Sequence, residues 1–494
     1  SRYTPSSTLQ RMELLKTGYM GTLSLGWDNY LFLELTGRQE RSSTLKDQSF
    51  FYPSANLSFL FTQAFHMPSW WNYGKLRLSY GIVGNAPETY TANIVYEQGS
   101  DNGFTWNTIP SSWGNADIRP EKKYEYEIGL ESKFLNNRLG IDVSYYNNRV
   151  KDQILSTPQP STSGVKNVLM NVGEVANHGW DISISATPIL TRDFRWDLTA
   201  NYGVYKNKVV KLADGVPYLE ILNSGGSGIK IQAVEGQPMG DIYAQVPQVN
   251  ENGEYLVSDK GLYLNQTELQ KVGNINPAGV GGLFNSFSYK NVFLDFSIDF
   301  RIGGDVINEM NQYATAVGLT PESLKYRDTE HGGLSYYYPG DNNSSGIPVQ
   351  VDPSTGAGPN GEIIYHDGII LPGVVASTGE RNTRIIPAGY YYNTTYNWGT
   401  EAEQLTYRHS VFDNSYVKLR ELTIGYQFPE KMISKLGLGR LSVSVFGRNL
   451  FYFYKALKNY DAESSVGTSW ANQATVGSST TATRSFGVSL RASF

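Results

Sequence analysis

This sequence predicts an all-β chain: about 13 antiparallel strands from the later part of a transmembrane β-barrel with long extracellular loops. Three observations predict it. Hydrophobicity recurs with a period of two, the connections between such segments alternate between short and long, and the chain closes on the strand SFGVSLRASF. In that last stretch Phe486, Val488, Leu490, Ala492 and Phe494 fall on one side of an extended chain. Ser485, Gly487, Ser489, Arg491 and Ser493 fall on the other, and Val488, Leu490 and Phe494 make the C-terminal assembly signal expected of a barrel.

The strands follow in order. Tyr19, Gly21, Leu23 and Leu25 alternate with Met20, Thr22 and Ser24; after the turn Trp27-Asp28-Asn29, Leu31, Leu33 and Leu35 alternate with Phe32, Glu34 and Thr36. A strand follows at 53–61. Next, Leu76, Leu78, Tyr80 and Ile82 interleave with Arg77, Ser79 and Gly81, then Tyr124, Tyr126, Ile128 and Leu130 with Glu125, Glu127 and Gly129. Leu139, Ile141, Val143 and Tyr145 oppose Asp142 and Ser144. The two cleanest cases set Trp180, Ile182, Ile184 and Ala186 against Asp181 and Ser183, and Leu294, Phe296, Ile298, Phe300 and Ile302 against Asp295, Asp299 and Arg301. Segments near 194–206, 282–289, 416–428, 440–448 and the C-terminal strand complete the set at roughly membrane-spanning length, ~9 to 11 residues or a little more. Between Lys418 and Leu422 the phase slips at Arg420-Glu421, which a β-bulge, or a strand continuing above the membrane, would explain.

Tight connections near 27–29, 63–74, Asn136-Asn137, 188–193, 289–291 and 429–439 take turns with loops near 38–51, 84–121, 150–178, 211–280, 303–415 and 451–483. A meander crossing a slab produces this parity, because every second connection lies on the same side; outer-membrane barrels keep short turns periplasmic and long loops outside. A soluble sandwich has no reason to alternate, nor to hold an irregular loop of about a hundred residues. An odd number of antiparallel strands does not close on itself without a parallel seam. The expectation is therefore a single barrel unit over 1–494, with its earlier strands outside this chain.

Composition agrees and excludes several classes. Glycine is 50 of 494 residues and tyrosine 35, as suits aromatic belts and polar loops; cysteine is absent, so there is no disulfide framework and no thiolate chemistry. A net charge of −5 without a basic run gives no support for nucleic acid. No stretch reaches the ~18 to 20 apolar residues of a spanning helix, so a membrane would be crossed by strands.

Several blocks resemble the SusC-like TonB-dependent transporters of Bacteroidetes: NNRVKDQILSTPQPSTSGVKNVLMNVGEVANHGWDISISATPI (147–189), GNINPAGVGGLFNSFSYKNVFLDFSIDFRIGGDV (273–306) and FDNSYVKLRELTIGYQFPEKMISKLGLGRLSVSVFGRNLFYF (412–453), with KLRLSYGIVGN (75–85) and the final SLRASF. The resemblance runs over nearly the whole chain. It implies a barrel of about 22 strands with a plug in its lumen. It also implies a TonB box, a SusD-like lipoprotein lid, partnership with TonB, and dimers of SusC/SusD pairs in lipid and lipopolysaccharide. Plug, box and roughly the first nine strands are absent from this sequence, so the N-terminal part of the same barrel is itself an expected partner.

The inward-facing charges Glu125, Glu127, Asp142, Asp181, Asp295, Asp299 and Arg301 are candidates to hold a plug, or simply to line a wet lumen. A charge on the opposite side costs about 2 to 4 kcal/mol at the midplane. Aromatic loop clusters are candidates for a ligand wall shared with the lid, or for loop packing: Trp106 and Trp113, Tyr336-Tyr337-Tyr338, Tyr390-Tyr391-Tyr392 with Tyr396 and Trp398, and Trp470. Phe451 to Tyr454 read as an aromatic belt. Five histidines (His66, His178, His331, His366, His409) show no metal-ligand spacing, and Arg327-Asp328-Thr329-Glu330-His331 reads as a solvated loop or lid-facing patch. Gly225-Gly226-Ser227-Gly228 lacks the strand-then-helix setting of a phosphate cradle, and Asp341-Asn342-Asn343 is an ordinary turn composition. No catalytic residue, cofactor or metal is expected. The expected function is TonB-energised import of an oligomeric nutrient, glycan or peptide; a passive porin, and a soluble β-rich glycan-binding protein, are the alternatives.

Overall fold

The computed structural model describes residues 12–45, 48–93, 95–101, 104–158, 162, 164–224, 228–340, 346–397, 406–464, 469–477 and 482–493. Trp398, Phe494, Gly225 to Ser227 and Asp341 to Asn343 lie outside the described residues.

Thirteen strands form one sheet in unbroken chain order. They are β1 (Lys16–Trp27), β2 (Leu31–Ser42), β3 (Ser49–Phe59), β4 (Trp71–Asn85), β5 (Glu121–Phe134), β6 (Leu139–Lys151), β7 (Glu174–Leu190), β8 (Phe194–Lys211), β9 (Gly279–Tyr289), β10 (Val292–Ile302), β11 (Tyr416–Gln427), β12 (Arg440–Lys455) and β13 (Ser485–Ser493). Every neighbouring pair is antiparallel. The sheet is open: among the described residues β1 pairs only with β2 and β13 only with β12.

Register gives the sheet two chemically different sides. Leu130, Val143, Ile182, Tyr202, Gly281, Phe300 and Val417 succeed one another across seven strands. One residue away, on the opposite side, run Glu131, Asp142, Ser183, Asn201, Gly282, Asp299 and Lys418. The apolar rows meet no second layer: Ile128, Trp180, Ile424 and Val488 are 47%, 46%, 49% and 71% exposed. Every strand therefore offers its hydrophobic side outward, the reverse of a sandwich.

Short turns carry the residues that tight hairpins require. Asp28 and Asn29 have φ of 47° and 57°, and Asn136 and Asn137 of 57° and 63°, left-handed conformations that Asn and Asp tolerate. Aromatic rings gather at that end of the sheet. Trp70 stacks on Phe134 with centroids 5.9 Å apart, Trp196 on Phe287 at 5.5 Å, and Tyr426 meets Phe428 edge-on at 5.2 Å. The belt at the other end keeps Phe451, Phe453 and Tyr454 exposed, but Tyr452 turns inward and donates to Asp461 at 3.0 Å.

Two expectations about the loops are corrected. The connection near 38–51 shrinks to 43–48, because Arg38, Gln39 and Glu40 keep pairing with β3 and an Arg38–Glu40 ion pair satisfies their charges. The longest loops are not irregular. Residues 212–278 hold a four-stranded sheet (Tyr218–Ser224, Ile229–Val234, Asp241–Ala244, Gln270–Asn274). Residues 303–415 hold another (Leu334–Tyr337, Val349–Gln350, Tyr365–Ile369, Ile386–Pro387) with helices α1 (Glu309–Ala316) and α2 (Ala388–Tyr396). The Asn308 side chain caps α1 by accepting from the Asn311 N–H at 3.0 Å. A buried cluster joins three loops: Ile229, Ile231 and Ile242 from the first, Ile307 and Val411 from the second, Ala471 and Ala474 from the last.

Candidate functional site: the charged inner wall and the loops above it

All seven inward candidates share the polar side of the sheet, as their registers require. Asp142, Asp181, Asp299 and Arg301 line one concavity of about 820 Å³ together with Arg77, Arg420 and Glu463. Opposite charges meet there. Arg77 donates to Asp142 through both terminal nitrogens at 2.6 and 3.2 Å, to Ser144 Oγ at 3.2 Å, and lies 3.6 Å from Glu131. Arg301 instead donates to the carbonyls of Gly303 and Ile275 at 3.1 and 3.0 Å, tying the bases of the two longest loops to the wall. Glu125 pairs with Lys123 at 2.5 Å and accepts from Asn148 at 3.1 Å; Asp295 accepts from Ser286 at 2.6 Å. Glu127 and Asp181 have no hydrogen-bond or ion-pair partner among the described residues.

The phase slip in β11 is a β-bulge. Glu421 faces Ser297 and Leu419 faces Ile298, so Arg420 is the extra residue and points to the same side as Glu421. Val417 and Leu419 before it, and Leu422 and Ile424 after it, stay on the apolar side. The bulge thus adds an inward cation without turning the outer row over. Arg420 Nε donates to Asp299 at 2.5 Å, and its terminal nitrogens hold Glu463 at 2.6 and 2.8 Å, a forked geometry that favours Arg over Lys. Lys418, 2% exposed, donates to the same Glu463 at 2.6 Å.

Glu463 belongs to the last loop, 456–484. Burial raises its pKa, but hydrogen bonds from Arg420 and Lys418 outweigh burial and bring it down to about 2. With Tyr452 bonded to Asp461, and Asn414 donating to the Ala462 carbonyl at 2.9 Å, this loop is fastened across the top of the inner wall. Sequence reading missed Arg77, Arg420 and Glu463. Arg77 was visible as the polar partner of an alternating strand and Arg420 as the slip itself, whereas nothing local marks Glu463.

The aromatic candidates separate by burial. Tyr336 and Tyr338 are 1% and 5% exposed and pack with Ile385, and Tyr392 is buried, with its hydroxyl donating to the Glu322 carbonyl at 2.9 Å. Tyr337 and Tyr391 are half-buried, and Tyr390 is exposed. Trp106 stands exposed on a hairpin of 97–108, Trp113 meets Tyr96 edge-on at 6.1 Å, and Trp470 is partly exposed beside Gly240. His409 is half-buried and stacks on Tyr396 at 4.3 Å; desolvation, then the Arg408 cation, lower its pKa to about 4.

The family described as "TonB dependent receptor-like, beta-barrel" matches residues 3–242. Over 91% of its length the chain is 24% identical to TonB-dependent receptor P3 of Formosa agariphila, covering 42% of that protein. Over 46% of its length it is 30% identical to TonB-dependent receptor SusC of Bacteroides thetaiotaomicron, covering 24% of it. The chain is similar in sequence to the SusC-like TonB-dependent receptors. It spans less than half the length of these curated relatives. Among solved structures the fold is shared with the RagAB peptide transporter, at a TM-score of 0.65 and 19% identity, over 91% of this chain and 45% of that one. The same importer in its "open-open" state superposes with a TM-score of 0.61. That likeness places the chain in the Gram-negative outer membrane.

Proposed function

We propose that this chain is the later barrel part of an outer-membrane importer that takes up oligomeric nutrients. In this reading the outer loops and a SusD-type lipoprotein lid hold the cargo, and TonB, drawing on the inner-membrane proton gradient, displaces a plug. The two free sheet edges take the earlier strands, roughly nine of about 22, because unpaired backbone groups are not tolerated in lipid. The pairs assemble as dimers. The observation that carries the reading is the two-sidedness of the sheet, with exposed apolar rows on one side and a charged wall on the other, which suits a lumen too wide for side chains to fill. Asp181 and Glu127 are the inward carboxylates best placed to meet a plug, since the others already bond within the wall.

The test is uptake by cells carrying the full-length gene product, with fluorescent oligosaccharide and oligopeptide mixtures as probes. Accumulation that stops when TonB is deleted, or when a protonophore collapses the gradient, supports active import. Accumulation that continues unchanged identifies a passive porin instead.

A further inference from the structure

A second cavity, of about 480 Å³, lies in the loop mass. Tyr263 from loop 212–278 and Tyr326, Tyr391 and Tyr396 from loop 303–415 form its aromatic walls, with Ile369 and Leu371 among its aliphatic ones. The buried cluster of Leu262, Ile369, Leu371 and Ile386 backs it, and Tyr263, Tyr326 and Tyr391 pack on that cluster, so the cavity is held open by a core. Tyr326 sits at φ 67°, a left-handed conformation rare for so bulky a residue. It is fixed there by its N–H donating to the His331 carbonyl at 2.9 Å, and by Gly333 N–H donating to the Asp328 carbonyl at 2.7 Å. Strain of this kind persists where the surroundings over-determine it, and clusters at ligand clamps.

The lining chemistry selects a class of ligand. Tyr263 donates its hydroxyl to the Pro372 carbonyl at 3.2 Å, and Tyr392 donates to the carbonyls of Glu322 and Lys325 at 2.9 and 3.3 Å. These phenols present ring faces and not free hydroxyls. Ring faces accept the C–H faces of a sugar and an apolar side chain alike, so discrimination falls to the charged groups at the mouth. Among the lining residues Glu322 and Lys325 are exposed and so stand at the mouth, with the Lys325 Nζ 4.8 Å from the Tyr326 ring centre. One anionic and one cationic group there complement the charges of a peptide, whereas a neutral glycan brings neither.

We propose that this cavity anchors an aromatic or large aliphatic side chain of an oligopeptide. This deepens the importer reading and rests on it for its biological meaning, making peptide the cargo. The test uses the full-length protein in detergent, with the free-ended tetrapeptide Ala-Phe-Leu-Ala and maltohexaose as probes in calorimetric titration. The tetrapeptide is expected to bind the wild type, Tyr391→Ala to weaken it about tenfold or more, and Tyr391→Phe, which keeps the ring, to bind as the wild type does. Heat-modifiable migration of each variant reports that the barrel is intact. No tetrapeptide binding to the wild type overturns the proposal, as does binding that Tyr391→Ala leaves unchanged, or maltohexaose binding that Tyr391→Ala abolishes. TonB-dependent uptake in cells is scored separately. Uptake of oligosaccharide with no peptide binding sinks the cavity while import stands; peptide binding without TonB-dependent uptake sinks import while the cavity stands.

Discussion

The wall and the loop mass obey opposite rules of burial within one chain. On the wall, Ile128, Ile424 and Val488 are exposed while Lys418 is 2% exposed. In the loops, Ile229, Ile231 and Ile242 are wholly buried. The difference is the solvent. A strand bathed in lipid gains nothing by hiding its aliphatic side, so its packing problem is the charged interior. The loops sit in water and build ordinary hydrophobic cores.

The largest expected effect tests the wall directly. Ile298→Arg sets a charge among the outer rows, at about 2 to 4 kcal/mol near the midplane, and should abolish the heat-modifiable band in outer-membrane fractions. Asp299→Asn, one residue away on the inner side, should leave that band in place. If both variants assemble, the wall does not face lipid.

Next comes the seam between the regions. Glu463→Gln removes the carboxylate shared by Arg420 and Lys418 and should loosen loop 456–464 by about 1 to 2 kcal/mol, discounted because the pair is partly solvated. Limited proteolysis should cut that loop earlier while the barrel band persists. Unchanged cleavage would mean that the clamp does not hold the loop.

A smaller effect tests the loop core. Ile231→Val should cost about 0.5 to 1.5 kcal/mol locally, read as faster amide exchange in 229–244 with none gained in β9 and β10. Exchange spreading into those strands would show one cooperative unit instead of two regions.

The gentlest test is acidity. Folded His409 titrates near 4 and its ordinary value is 6.5, so between these limits the opened loop binds a proton that the closed loop refuses. Loop stability should therefore fall as pH drops from about 6.5 to about 4 and level off below. His409→Gln should flatten that slope in exchange measurements. Glu463 adds its own loss lower down, as pH falls from 4.5 toward about 2.

These regions were also unequally legible. All thirteen strands could be read from period-two patterning, since lipid on one side and water on the other force alternation residue by residue. Even the irregularity at Arg420 left its trace as a broken phase. The loops carry no such constraint. Tyr336 and Tyr390 look alike in sequence, yet one is core and the other surface, because tyrosine serves both and only tertiary contact decides. Glu463 meets Arg420 across 43 positions, and the Tyr263 wall of the second cavity comes from a different loop than Tyr391. Nothing local announces such meetings.

Arg420 has one more consequence. Because it enters where two consecutive side chains already point the same way, striking it from β11 would leave Val417, Leu419, Leu422 and Ile424 in flawless alternation with Lys418, Glu421 and Thr423. A lineage can thus acquire or discard this fastening by a single codon, without renegotiating how the cylinder meets its bilayer.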